Sequence, residues 1–132
     1  MKLEGQKVLG HGIDLVEVEA IASLLERHAE RFCERCFTPD EVAYCRRSQK
    51  RAAEHFAVRF AAKEAVFKAL GTGRRHGMAW TDVAVHRLPT GEPKIVLTGV
   101  AAEFAAERGI ASWSVSLSHT HRTAAASVVA LG

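Results

Sequence analysis

From Ala52 to Leu70 the chain runs nineteen residues without a glycine or a proline, and it ends against Gly71 and Gly73. Seven of the nineteen are alanine. Such a run reads as a helix closed by a glycine stop, and its length makes it the element around which the rest must pack. At 3.6 residues per turn, Phe56, Phe60 and Phe67 fall on one apolar stripe. Glu64 lies four residues beyond Phe60 and three before Phe67, so it projects from the same side, with Lys63 and Lys68 nearby. An acid at the edge of an apolar stripe is the first feature that asks for a reason.

The other elements follow from local chemistry. Lys7 to Val16 (KVLGHGIDLV) reads as a β-branched strand whose Gly10 and Gly12 share a face with Asp14 and invite close backbone approach. A helix follows over Val18 to Cys36. In FTPDE, Thr38 stands as N-cap, Pro39 at the first helical position and Glu41 as the closing residue of a capping box, so a short helix runs to about Arg47. Beyond the GTGRRHGM loop, TDVAVHRL and PKIVLT flank a turn containing Gly91 and predict a hairpin. Val100 to Glu107 is a short Ala-rich helix ended by Gly109. SWSVSLSHT and TAAASVVAL are two more strands joined tightly at His121 and Arg122. Helices first and antiparallel strands later predict one α+β domain spanning residues 1–132.

At 48% hydrophobic and 25% charged, the chain has ordinary globular chemistry. No apolar run approaches a membrane span, and MKLEGQKVLG has no signal-like core, so the expectation is a soluble cytoplasmic protein. Cys33, Cys36 and Cys45 make an odd count. Cys33 and Cys36 sit deep in a helical stretch without a second pair, which favours buried helix thiols over a redox or zinc site.

The net charge of +3 is unevenly spread. Residues 1–45 carry five Lys/Arg against nine Asp/Glu, residues 46–76 nine against two, and residues 77–132 four against four. The excess of +7 surrounds the central helix and points to an anionic partner there, either a nucleic acid or a polyphosphate small molecule.

Within that segment Glu64 has two readings. The plainer one is an i→i+4 surface pair with Lys68. The sharper one is a ligand for Mg²⁺, a hard cation that takes carboxylate oxygen and keeps waters and substrate phosphates as its other ligands. Asp14 likewise reads as a helix cap, through Asp14-x-x-Glu17, or as a ligand. Lys50, Arg51, Arg59, Lys68, Arg74 and Arg75 form either a solvated basic face or a phosphate site, with the GTG backbone as a cradle. His119 and His121 have strand spacing but no evident third metal ligand, and His11, His28, His55, His76 and His86 carry no spacing signal. No Walker A sequence and no dinucleotide fingerprint is present.

Three segments together narrow these choices. GHGIDLVEVEAI, HFAVRFAAKEAVFKALGTG and SVSLSHTHRTAAASVVA resemble, in order and spacing, the holo-acyl-carrier-protein synthase family of small phosphopantetheinyl transferases. FTPDEVAYC and the Gly91–Pro93 turn match between them, so the resemblance spans nearly the whole chain. It implies the 4′-phosphopantetheinyl transferase-like fold and Mg²⁺-dependent transfer of phosphopantetheine from coenzyme A to a serine of an apo acyl carrier protein, of fatty-acid or polyketide type. Adenosine 3′,5′-bisphosphate leaves. Asp14 and Glu64 match the metal ligands, and Lys68 the group that stabilises charge at the attacked phosphorus. Glu64, directly or through a water on the ion, is the expected general base. Lys50, Arg51 and Arg59 match positions around the adenosine 3′-phosphate, His119 and Thr120 positions near the pyrophosphate, and Gly91 and Pro93 the turn bordering the adenine. Gly71 and Gly73 match the family's glycine loop. The resemblance further implies a homotrimer with active sites between subunits, and no nucleic-acid or membrane partner.

The chain departs from the family pattern in its first helix, which is typically basic. Here Ala20 replaces a common Arg, and Glu19, Glu26 and Glu30 dilute Arg27 and Arg31, although Phe32 is kept. His11 stands between the glycines where an aliphatic residue is usual. The competing class is a basic α+β module for RNA or nucleotides. Against it, two Trp and one Tyr provide no aromatic platform among the basic residues.

Overall fold

The structure, a computed structural model, describes residues 6–71 and 77–132. Five strands and four helices follow in the order β1 (Val8–Glu17), α1 (Val18–Cys36), α2 (Pro39–Cys45), α3 (Ala52–Ala69), β2 (Val83–Arg87), β3 (Pro93–Leu97), α4 (Gly99–Glu107), β4 (Ser112–His119) and β5 (Thr123–Leu131). A short 3₁₀ turn, Trp80–Asp82, precedes β2. The sheet order β1–β5–β4 is antiparallel throughout, and β2–β3 forms a separate antiparallel hairpin. The domain is α+β, as its pattern of elements predicts.

α3 is the hub. From Phe56 to Leu70 only Lys68 is exposed, with Phe60 and Glu64 half-buried. Alanines at 61, 62, 65 and 69 leave a surface smooth enough for strands to lie flat on it. β5 presents Ala124, Ala126, Val128 and Ala130 to the core, all buried. β1 comes closer still, and only its glycines allow that. A Cβ on Gly10 would fall 2.1 Å from the Ala69 carbonyl oxygen, and one on Gly12 1.9 Å from that of Ala65. Gly12→Ala must therefore push strand from helix and is expected to cost about 2 kcal/mol or more. Urea unfolding checks this; an unshifted midpoint would mean the strand has room to yield.

The α1–α2 corner holds a second core of Phe32, Phe37, Phe56 and the three cysteines, all buried. Phe37 packs edge-on against Phe32 and Phe56. None of the three cysteines forms a disulfide among the described residues, and burial pushes the Cys45 thiol up to about 12, so it packs as a small apolar group. α1 kinks at His28, whose φ and ψ are −141° and 42°.

α2 starts with the predicted capping box. Thr38 Oγ1 accepts from the Glu41 amide at 3.3 Å, and Glu41 Oε1 accepts from the Thr38 amide at 2.9 Å. Glu41 does more than cap. It is buried, it accepts from Lys63 Nζ at 2.8 Å, and its Oε2 accepts from the Val85 amide at 2.8 Å. Lys63, fully buried, donates also to the carbonyls of Trp80 and Val83. One ion pair thus joins α2, α3 and β2 inside the core.

Candidate active site

Two groups of predicted residues emerge on different sides of α3. The first lies where β1 crosses it. Because Gly10 and Gly12 let the strand settle on the helix, Asp14, two residues further on the same face, reaches the exposed rim beside Glu64 and Lys68. Lys68 Nζ donates to Asp14 Oδ1 at 2.8 Å and to the Ile13 carbonyl at 3.0 Å. The i→i+4 pairing of Glu64 with Lys68 is therefore not made; lysine bonds the strand's carboxylate instead. Glu64 has no hydrogen bond or ion pair among the described residues. Burial, and after it the negative charge of Asp14, holds its carboxyl above the usual range, with Lys68 opposing. The capping role for Asp14 also fails. β1 runs on to Glu17, where Glu17↔Thr123 pairing continues, so Asp14 sits mid-strand opposite Ala126. α1 begins at Val18 without a side-chain cap.

Two carboxylates at a rim, one of them charged at a disadvantage, suit a hard divalent cation in donor type and in charge. No third acidic, histidine or cysteine side chain completes a metal cluster among the described residues.

The second group surrounds a cavity of about 360 Å³ lined by Arg59, Gly91, Pro93 and His119, with His55, His86 and Arg87 among the other walls. A neighbouring cavity of about 530 Å³ shares Arg59, Arg87 and Gly91 and adds Tyr44 and Arg47. Gly91 turns the hairpin at φ +93°, a conformation that favours glycine. Arg59 is only 5% exposed. Its guanidinium lies 4.3 Å from the Tyr44 ring centroid, its Nη1 reaches the His55 carbonyl at 3.4 Å, and its Nε has no hydrogen-bond partner among the described residues. Arg47 and Arg87 approach the same ring at 5.4 and 5.8 Å, and Arg87 donates to the Tyr44 hydroxyl at 2.8 Å. One tyrosine thus gathers three guanidinium groups from three parts of the chain.

The remaining predicted residues scatter. Lys50 and Arg51 are exposed in the turn before α3 and line neither cavity. Gly71 ends α3 at φ +82°. Gly73, like Arg74, Arg75 and His76, lies outside the described residues. Thr120 holds the β4–β5 turn, its hydroxyl oxygen accepting from the amides of Arg122 and Thr123 at 3.1 Å each. The basic run is not one face: Arg46 reaches Cys33, Arg59 the cavity, Lys63 the core and Lys68 Asp14. Tyr44, Arg47, His55, His86 and Arg87 line these cavities without having been singled out from sequence. His86 and Arg87 alternate on a hairpin strand, and which face meets a cavity depends on what packs against it.

This fold and this pairing of an acidic rim with a basic cavity define a class. The chain belongs to the 4′-phosphopantetheinyl transferase superfamily, which it matches over residues 10–129. It is a transferase, and its relatives are holo-[acyl-carrier-protein] synthases. That of Desulforudis audaxviator is 50% identical over 125 residues, 95% of this chain and 94% of the relative. The crystal structure of holo-[acyl-carrier-protein] synthase from Neisseria meningitidis superposes with a TM-score of 0.85 at 31% identity, covering 94% of this chain and 98% of that one. That of the Helicobacter pylori synthase in complex with coenzyme A gives 0.79 at 32%, covering 91% and 98%.

Proposed function

We propose that this chain transfers 4′-phosphopantetheine from coenzyme A to a serine of an apo acyl carrier protein, releasing adenosine 3′,5′-bisphosphate. The observation that carries the reading is Arg59. A guanidinium this deeply buried, with an unpartnered Nε and no carboxylate bound to it among the described residues, is costly unless an anion joins it. A coenzyme with three phosphate groups supplies that anion, and His119, Gly91 and Pro93 line the same cavity.

In this reading the serine oxygen attacks the phosphorus that bears pantetheine, and the bond from that phosphorus to the bridging oxygen breaks. The bisphosphate leaves with the bridging oxygen, so no protein nucleophile is required. Glu64 takes the serine proton, directly or through a water. Lys68, whose side chain is about half exposed, releases Asp14 and turns to the developing phosphoryl charge. Asp14 and Glu64 would hold Mg²⁺, which when bound supplies charge neutralisation at the pyrophosphate.

The assembly we infer is a homotrimer with each site between two subunits. Asp14, Glu64 and Lys68 do not line the basic cavity of their own chain. The outward face of the β1–β5–β4 sheet leaves Ile13 and Leu15 exposed, with Val8 at the strand's start, an apolar patch that a neighbouring copy would cover. No described helix is long and apolar enough to cross a membrane. Three cysteines outside any disulfide suit a reducing, cytoplasmic setting.

The test is intact-mass spectrometry of an apo acyl carrier protein incubated with this protein, coenzyme A and Mg²⁺. A phosphopantetheine-sized gain that EDTA prevents is expected. No gain across fatty-acid and polyketide carriers, with the protein folded, would overturn the reading.

A further inference from the structure

We propose that Glu54 is a positioning residue of the coenzyme site, holding the His119 imidazole by Nδ1 so that Nε2 and its proton are presented to the bound anion. The inference rests on the transferase reading and adds to it a residue that the motifs do not contain.

Glu54 stands in the first turn of α3, whereas His119 ends β4 and His121 lies in the turn to β5. Helix and hairpin meet at this acid. Glu54 Oε1 lies 3.0 Å from His119 Nδ1, and Oε2 lies 3.4 Å from His121 Nδ1. The carboxylate is largely enclosed, with 13% of its side chain exposed, whereas the His121 ring is 91% exposed. His119 faces two ways: one ring nitrogen on Glu54, the ring itself in the wall of the Arg59 cavity. With Nδ1 committed to a carboxylate, Nε2 is the nitrogen left for a ligand.

The surrounding charges give the acid its purpose. α3 contributes Glu54, His55 and Arg59, β2 contributes His86 and Arg87, and the β4–β5 turn contributes His121. Glu54 is the one described carboxylate bonded to the His119 ring. Burial works to raise the Glu54 carboxyl, but the hydrogen bonds and charges of His121 and His119 outweigh it and hold it below the usual range. It therefore stays ionised wherever the enzyme works. The neighbouring His55 ring, 6.2 Å from His119 by centroid, is held below its usual range, first by burial and then by the Arg59 and His119 charges. Of the three imidazoles that line this cavity, His55, His86 and His119, it is His119 that has a described carboxylate bonded to its ring. The Glu54 charge balances the imidazolium form of the ring, which donates from Nε2 to phosphate oxygen.

The experiment is calorimetric titration of the wild-type and variant proteins with coenzyme A and Mg²⁺. Glu54→Gln keeps an oxygen for Nδ1 but removes the charge. It is expected to weaken coenzyme binding about tenfold. In the His119→Ala background the same substitution should add nothing, because Glu54 acts through the ring. His121→Ala, which frees only the exposed partner, should leave affinity within about twofold. Unchanged affinity in folded Glu54→Gln overturns this inference alone. Weakening that persists in the His119→Ala background also overturns it, since a merely structural acid would behave so. Failure of the wild-type protein to bind coenzyme A would take down the transferase reading and this inference together.

Discussion

Glu64→Gln is expected to lower transfer to the carrier protein about 10²- to 10³-fold, while the melting temperature of the EDTA-treated protein stays level or rises. The two halves of this expectation have one origin. Glu64 is half-buried, faces the charge of Asp14, and has no hydrogen bond or ion pair among the described residues. In the metal-free fold its ionised form is therefore a strain, and a neutral amide of the same shape removes it. In the working enzyme that same charge would bind the cation and accept the serine proton, and an amide does neither. A residue kept for packing behaves in the opposite way, losing stability and sparing rate. Transfer rates with coenzyme A near saturation, beside thermal melts in EDTA, separate the two. Near-normal turnover at ordinary Mg²⁺ would remove Glu64 from the chemistry, and a drop in melting temperature with it would return the acid to a structural role.

How far the sequence foretells this arrangement varies with the range of the interaction that decides each part. The helix start at Pro39, the stop of the central helix at Gly71, the hairpin turn at Gly91 and the last two strands are set by a capping box, glycine positions and period-two alternation, all local, and they fall within a residue or two of the structure. The close approach of β1 was legible for the same reason, because Gly10 and Gly12 stand beside Asp14 in one strand. Asp14 itself was ambiguous. D-x-x-E before an apolar run suits a cap as well as a ligand, and only the pairing of Glu17 with Thr123, more than a hundred residues away, extends the strand past it. The basic segment misled in a similar way. Its summed charge suggests one face, but Arg46, Arg59, Lys63 and Lys68 leave α2 and α3 in different directions. Tyr44 and Arg87 belong to the basic cavity only because α2 and the β2–β3 hairpin meet over Arg59. No local spacing encodes that meeting.

Lys63 shows the limit most clearly, and the largest stability loss is expected there. Next to Glu64 in FAAKEA it looks like an ordinary helix lysine, yet it is fully buried with its ammonium on Glu41, Trp80 and Val83. Burial lowers its pKa, and Glu41 opposes that shift. Lys63→Met would leave the Glu41 carboxylate 2% exposed with only the amides of Thr38 and Val85 to stabilise it, and would strip a donor from two core carbonyls. Breaking a buried pair from one side costs about 3–5 kcal/mol, a large part of the roughly 5–15 kcal/mol that holds a domain of this size together. Adding Glu41→Gln removes the stranded charge and keeps an acceptor for the Val85 amide, so the double variant should recover part of the loss. Urea unfolding of the two proteins measures the difference. The consequence reaches the site, because Glu41 ties the helix carrying Tyr44 to the strand carrying Arg87, the two walls that face Arg59. Coenzyme affinity should fall with stability in Lys63→Met and return with it in the double variant. If the single variant unfolds at the parent's urea concentration, the ion pair is not what holds those walls, and the cavity must be shaped by the aromatic packing of Phe37, Phe56 and Phe60 instead.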